Sequence, residues 1–130
     1  MEKRILVIDD DPLIRSLVKS ILESEGFQIN LAEDGLQGVE ILQSESKPID
    51  YELIILDVVM PGMNGLEVLA KLKESNDTLN IPVLMLTGES KAEDIMAGYS
   101  HGADYYITKP FTRQQLLYGL NLILNKDADQ

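Results

Sequence analysis

Apolar residues along this chain follow two alternating rhythms. Short runs rich in β-branched side chains give way to longer stretches whose apolar positions recur every three or four residues. "KRILVID" is the first short run, and "PLIRSLVKSILESEG" then sets Leu13, Ile14, Leu17, Val18, Ile21 and Leu22 on one helical stripe. "FQINLAE" reads as a strand and "GLQGVEILQSE" as a helix starting near Asp34. "YELIILD" is the most continuous apolar strand, followed by the turn "MPGMNG" and the helix "LEVLAKLKES". "IPVLMLT" precedes a polar break and the helix "AEDIMAGYSHG", and "DYYIT" with "TRQQLLYGLNLILNK" completes the series.

Local signals at the boundaries support this division. Pro12 suits a first helical position, Asp11 its N-cap and Gly26 the stop. Ser90 with Glu93 and Thr112 with Gln115 fit capping boxes, while Asn64 with Glu67 and Asp34 with Gln37 are looser versions. Strands alternating with helices require crossover connections, so the pattern predicts an α/β fold with five parallel strands. Right-handed crossovers put helices on both faces of such a sheet, whose inner strands should be continuously apolar, as "LIIL" and "VLML" are. One domain is expected over residues 1–125, with 126–130 as a frayed tail.

Composition narrows the chemistry. The 130 residues are 45% hydrophobic and 25% charged, an ordinary balance for a folded domain. The chain contains no Cys, which removes disulfides, thiolate metal sites and thiol catalysis. No apolar run reaches the length of a membrane span, and "MEKRILVIDD" lacks the apolar stretch of a signal peptide, so a cytoplasmic protein without membrane contact is expected. The formal charge of -11 opposes direct binding to nucleic acid. Many of the acids make a solvated surface; some could instead form a cation site or steer a basic partner.

The ends of the predicted strands bring the polar residues together, and in a doubly wound sheet ligands bind beyond the carboxyl ends of the strands. Asp9, Asp10 and Asp11 follow the first strand, Asp57 ends the third, Thr87 the fourth, and Lys109 follows the fifth. Glu33 and Asp34 follow the second and read as turn and cap residues. Clustered carboxylates raise one another's pKa unless a cation neutralises them. With oxygen ligands only, a hard ion fits best, and Mg²⁺ usually takes one or two carboxylates and keeps several waters. A Thr hydroxyl and a Lys ammonium can then meet phosphoryl oxygens, and an Asp carboxylate can act as the nucleophile that forms an aspartyl phosphate.

The motifs "VIDDDP", "LIILDVVMPGMNG", "VLMLTGE" and "GADYYITKPF", spread over residues 3–125, resemble the response-regulator receiver domains of two-component signalling. The resemblance implies a flavodoxin-like sheet of order 2-1-3-4-5 and a phosphoacceptor rather than an enzyme, one that assists its own phosphorylation and slow autodephosphorylation. It implies that Asp57 takes a phosphoryl group from a histidine kinase or histidine phosphotransfer protein. Asp10, Asp57 and the backbone carbonyl of Val59 would hold Mg²⁺ (or Mn²⁺), with Asp9 acting through a bound water. Thr87 and Lys109 would hold phosphoryl oxygens, Thr87 and Tyr106 would move on activation, and Lys109–Pro110 would be a cis peptide. The surface read by a downstream effector would span Lys91 to Tyr99 and Asp104 to Tyr118.

Several residues have plainer readings. Asp11 is assigned to capping alone, and Met60, Pro61, Met63 and Gly65 to turn and packing. His101, the only histidine, is expected to be solvated. Tyr105 and Tyr106 alternate faces on a strand, so one should be more buried than the other; packing alone is the rival role for Tyr106. Val59 and Glu89 each lie two residues beyond a site residue and would modulate phosphoryl lifetime. A phosphohydrolase sharing the aspartyl phosphate commonly carries a second acid where Val59 stands. A flavodoxin-like FMN module needs a loop of free backbone N–H groups where this chain has "DDDP". A receiver acting without phosphorylation is the third rival.

Overall fold

The computed structural model describes residues 3–88, 96 and 99–125. Its elements run β1 (Arg4–Ile8), α1 (Pro12–Ser24), β2 (Gln28–Ala32), α2 (Gly35–Ser44), β3 (Leu53–Asp57), α3 (Gly65–Glu74), β4 (Val83–Thr87), β5 (Tyr105–Thr108) and α4 (Arg113–Leu124). The predicted helix "AEDIMAGYSHG" and its Ser90–Glu93 cap fall largely outside the described residues, as do Glu89 and the tail 126–130; Met96, Tyr99 and Ser100 are helical.

All five strands are parallel, in the order β2-β1-β3-β4-β5. Alternation along each strand divides the core in two. Leu6, Ile8, Ile54, Leu56, Val83 and Met85 meet Leu42 of α2 and Val68, Leu69 and Leu72 of α3. Ile5, Val7, Leu53, Ile55, Leu84 and Leu86 face the other way, toward Val18, Ile21 and Leu22 of α1 and Leu116 and Leu120 of α4. With helices on both faces, β3 and β4 are buried along their whole length, whereas the edge strand β2 leaves Gln28 and Asn30 exposed.

The helix starts are built as their residue types dictate. The Asp11 side chain accepts from the Leu13 N–H at 2.9 Å, and Gly26 supplies the positive φ of +92° that turns the chain after α1. Asn64 with Glu67 and Thr112 with Gln115 each make both halves of a capping box. At α2, Asp34 accepts from the Gln37 N–H at 2.8 Å, but the Gln37 side chain reaches back one residue further and accepts from the Glu33 N–H at 2.6 Å.

One expectation changes in three dimensions. Leu13 and Leu17 remain 78% and 45% exposed, so the apolar stripe of α1 is wider than the strip of sheet beneath it. Tyr105 and Tyr106 point to opposite faces, each packing beside a different half of the core, and both are half-buried on the edge strand β5. The Lys109–Pro110 peptide is cis, and so is Lys47–Pro48, which no sequence feature marked.

Gly65 is fixed by close approach. Its N–H donates to the Val58 carbonyl at 2.8 Å, and a Cβ on it would press on the Asp57 carbonyl oxygen and lie 2.7 Å from Val58 Cα. Those are backbone atoms and cannot swing away. Gly65→Ala should therefore destabilise the protein by about 2–3 kcal/mol in urea denaturation; a change within about 0.5 kcal/mol would show that the β3–α3 loop slides freely.

Candidate functional site

The strand order reverses between β1 and β3, so the crevice at their carboxyl ends is where this fold places a ligand. Hydrogen bonds continuing the strand ladders fix the residues there. The Asp9 N–H donates to the Ala32 carbonyl at 3.2 Å, the Val58 N–H to Leu86 at 2.9 Å, and the Lys109 N–H to Thr87 at 2.6 Å. The loops that carry the polar side chains thus begin on rigid backbone.

Asp9, Asp10 and Asp57 bring a carboxylate oxygen each to within 4.8 Å of one another. Asp9 is fully buried and Asp57 is 2% exposed, while Asp10 faces solvent. Lys109 Nζ lies 2.9 Å from Asp9 Oδ2 and 3.4 Å from Asp57 Oδ1, crossing the pair. Asp9 Oδ1 accepts from the Asp11 N–H at 2.9 Å, whereas Asp9 Oδ2, although paired with the lysine, makes no hydrogen bond of regular geometry. Thr87, at the end of β4, is buried, and its carbonyl ties it to Lys109. Val59 is 64% exposed at the rim. Asp11 acts in the cap, and His101 is exposed.

Electrostatics shows what this arrangement can accept. Burial, then the Asp9 charge and the neighbouring Asp10, push the Asp57 carboxyl up to about 7 against the opposing pull of Lys109. Burial draws the Lys109 ammonium down, but its contact with Asp9 and the Asp57 charge outweigh it and leave the group above its ordinary value. Three carboxylates against one ammonium leave an excess of two negative charges when all are ionised. A divalent cation with oxygen ligands fits that deficit, since all three side chains offer carboxylate oxygens to one small volume.

Arg15 is one polar residue at the site that sequence reading passed over. Its Nη1 donates to the Asp9 backbone carbonyl at 2.7 Å. An arginine in the first turn of an amphipathic helix reads as a solvated charge; the contact exists only because β1 ends beneath that turn.

The chain belongs to the response regulator receiver domain family, whose model matches residues 5–121. It is 38% identical over 123 residues to the DNA-binding dual master transcriptional regulator RpaA of Synechocystis, covering 95% of this chain and 49% of that protein. It is 36% identical over 126 residues to the response regulator MprA of Mycobacterium ulcerans, covering 97% of this chain and 52% of that one. The chain thus spans about half the length of the curated relatives it matches. Among solved structures it resembles the chemotaxis protein CheY4 of Vibrio cholerae, with a TM-score of 0.87 at 31% identity over 95% of this chain and 100% of that one. A CheY-like receiver domain from Methanospirillum hungatei also gives 0.87, at 30% identity over 99% and 98% of the two chains. Response regulators work with histidine kinases and effectors. No helix among the described residues is long and apolar enough to cross a membrane.

The raised Asp57 group links pH to stability. Without metal the folded protein holds that proton up to about 7, whereas the unfolded chain releases it near 3.8. The folded state binds more protons between those values, so this group's contribution falls as pH rises through the window. Metal-free Asp57→Asn should then be more stable than the parent at pH 8 by about 1–3 kcal/mol, the gap closing toward pH 4. Urea titrations in EDTA across that range measure it; a gap independent of pH would assign the destabilisation to another group.

Proposed function

We propose that Asp57 is the phosphoacceptor of a two-component pathway, taking a phosphoryl group from a phosphohistidine on a histidine kinase or histidine phosphotransfer protein. The observation that carries this reading is the Asp57 carboxylate, buried at the end of β3 among acids and reached by Lys109 at 3.4 Å. An Asp57 oxygen attacks phosphorus, the phosphorus–nitrogen bond breaks, and its electron pair stays with the departing imidazole. Phosphoryl transfer needs mainly alignment and charge neutralisation.

Asp10, Asp57 and the Val59 carbonyl would hold Mg²⁺ (Mn²⁺ as a substitute), with Asp9 acting through water. When bound, the ion supplies positive charge that keeps Asp57 ionised and offsets charge on the phosphoryl oxygens. Lys109 neutralises a phosphoryl oxygen from the opposite side, and the Thr87 hydroxyl donates to another. Assistance of this kind speeds the domain's own phosphorylation and slow autodephosphorylation without making it a turnover enzyme. Residues 1–125 form the functional unit, acting in the cytoplasm and without direct nucleic-acid contact.

The output is a surface change on the last strand and the helices around it, read by a downstream effector. A covalent phosphoryl group shifts a two-state equilibrium only by binding the two states differently. Thr87 and Tyr106 are the residues proposed to register that difference. The Tyr106 ring packs beside the α2/α3 half of the core, with its centroid 6.2 Å from that of Tyr99. Val59, exposed at the rim, offers an attacking water no hydrogen bond, and Glu89, outside the described residues, would orient or repel one.

Intact mass after incubation with acetyl phosphate and Mg²⁺ tests the central assignment: one phosphoryl group on the parent, none without Mg²⁺ and none on Asp57→Asn. An adduct that persists in Asp57→Asn would overturn it. Val59→Asn should lose the phosphoryl group several-fold faster than the parent, as read by the decay of the same adduct; equal or slower decay would remove Val59 as a lifetime determinant.

A further inference from the structure

We infer that Arg15 is a positioning residue for the cation site: by holding the Asp9 carbonyl it sets the acidic β1–α1 loop in the geometry that accepts a divalent ion. This rests on the cation reading proposed above for Asp9, Asp10 and Asp57, and adds a residue that contributes no ligand atom.

Three consecutive aspartates repel one another, and their own side chains brace the loop only locally, Asp9 Oδ1 accepting from the Asp11 N–H at 2.9 Å. Its anchors are few. The Asp9 N–H bonds to Ala32 of β2 at 3.2 Å, and the Asp11 side chain caps α1 through the Leu13 N–H at 2.9 Å. Between them stands the Asp9–Asp10 peptide, whose carbonyl oxygen receives Arg15 Nη1 at 2.7 Å. That peptide plane fixes the Asp10 Cα and hence where the exposed Asp10 carboxylate begins. Helical side chains lean toward the N-terminus of their helix, so a residue four positions after the N-cap is well placed to reach back over the loop. Arg15 is half-buried, and a guanidinium donating to a carbonyl makes a short, charge-assisted bond.

A rival account makes Arg15 only a positive charge that relieves the acids, and it predicts the opposite sign. A fixed cation beside a metal site repels the metal, so removing it should tighten binding. Removing an orienting group behind the ligands weakens metal affinity, commonly by about 10–100-fold.

Mn²⁺ binding to the full chain, followed by electron paramagnetic resonance of the free ion at fixed ionic strength, separates the two. Arg15→Met keeps the apolar stem and removes both charge and donor. It should bind Mn²⁺ about tenfold more weakly than the parent, with metal-free amide shifts confined to the neighbourhood of residues 9–15. Equal or tighter binding would overturn the inference. Should Arg15→Met fail to fold, Arg15→Lys decides: at unchanged charge, weaker binding supports positioning by the planar guanidinium, and parental binding refutes it. A parent that binds no Mn²⁺ would remove the cation reading itself and this inference with it.

Discussion

Burial of acidic groups at the point where the sheet reverses order is the constraint to which the rest of the structure answers. Asp9 and Asp57 sit almost without solvent at the ends of two adjacent strands, with Asp10 beside them. Desolvating a carboxylate costs several kcal/mol even after a protein relaxes around it. The compensation comes from the sheet beneath. Leu53, Ile54, Ile55 and Leu56 are completely buried, and such side chains contribute roughly 1.5–3 kcal/mol each. A strand so well packed can tolerate an unfavourable group at its end, and Lys109 offsets part of the remaining charge.

The same constraint explains why the crevice is stiff where its side chains are strained by charge. Ladder bonds run past the nominal strand ends at Asp9, Val58 and Lys109, and Gly65 lets α3 close against the backbone of β3. Asp9 and Asp57, both buried on this backbone, have little room to move apart, while the exposed Asp10 can turn toward solvent. Metal binding, protonation of Asp57 and pairing with Lys109 are the routes left, and they compete with one another. A site that stores repulsion this way is responsive to an added charge, which is what a signalling input at this position would exploit.

Backbone links carry the site toward the edge of the sheet. The Lys109 N–H reaches Thr87, and β5 places Tyr106 two residues after Asp104, whose carboxylate accepts from the Val83 N–H at the opposite end of β4. Tyr105 and Tyr106 are half-buried on either face of this edge strand, with fewer packing constraints than the residues of β3. Fewer constraints leave room for alternative arrangements, and β5 is the strand on which the proposed output surface rests.

By itself, the sequence determined the alternation of strands and helices, the caps at Asp11, Asn64 and Thr112, and the gathering of Asp9, Asp10, Asp57, Thr87 and Lys109 at one edge, because these follow from local periodicity, capping chemistry and a rule about strand ends. The strand order itself was legible only through the resemblance of four motifs to a family. Other features were decided by tertiary structure alone: the exposure of Leu13 and Leu17, the half-burial of both Tyr105 and Tyr106, the reach of Arg15 to the Asp9 carbonyl and the crossing of the carboxylates by Lys109. Each depends on how much of a helix or strand its neighbours cover, or on which groups meet across a gap between distant segments. Periodicity can say which way a side chain faces along its own element. It cannot say what stands opposite.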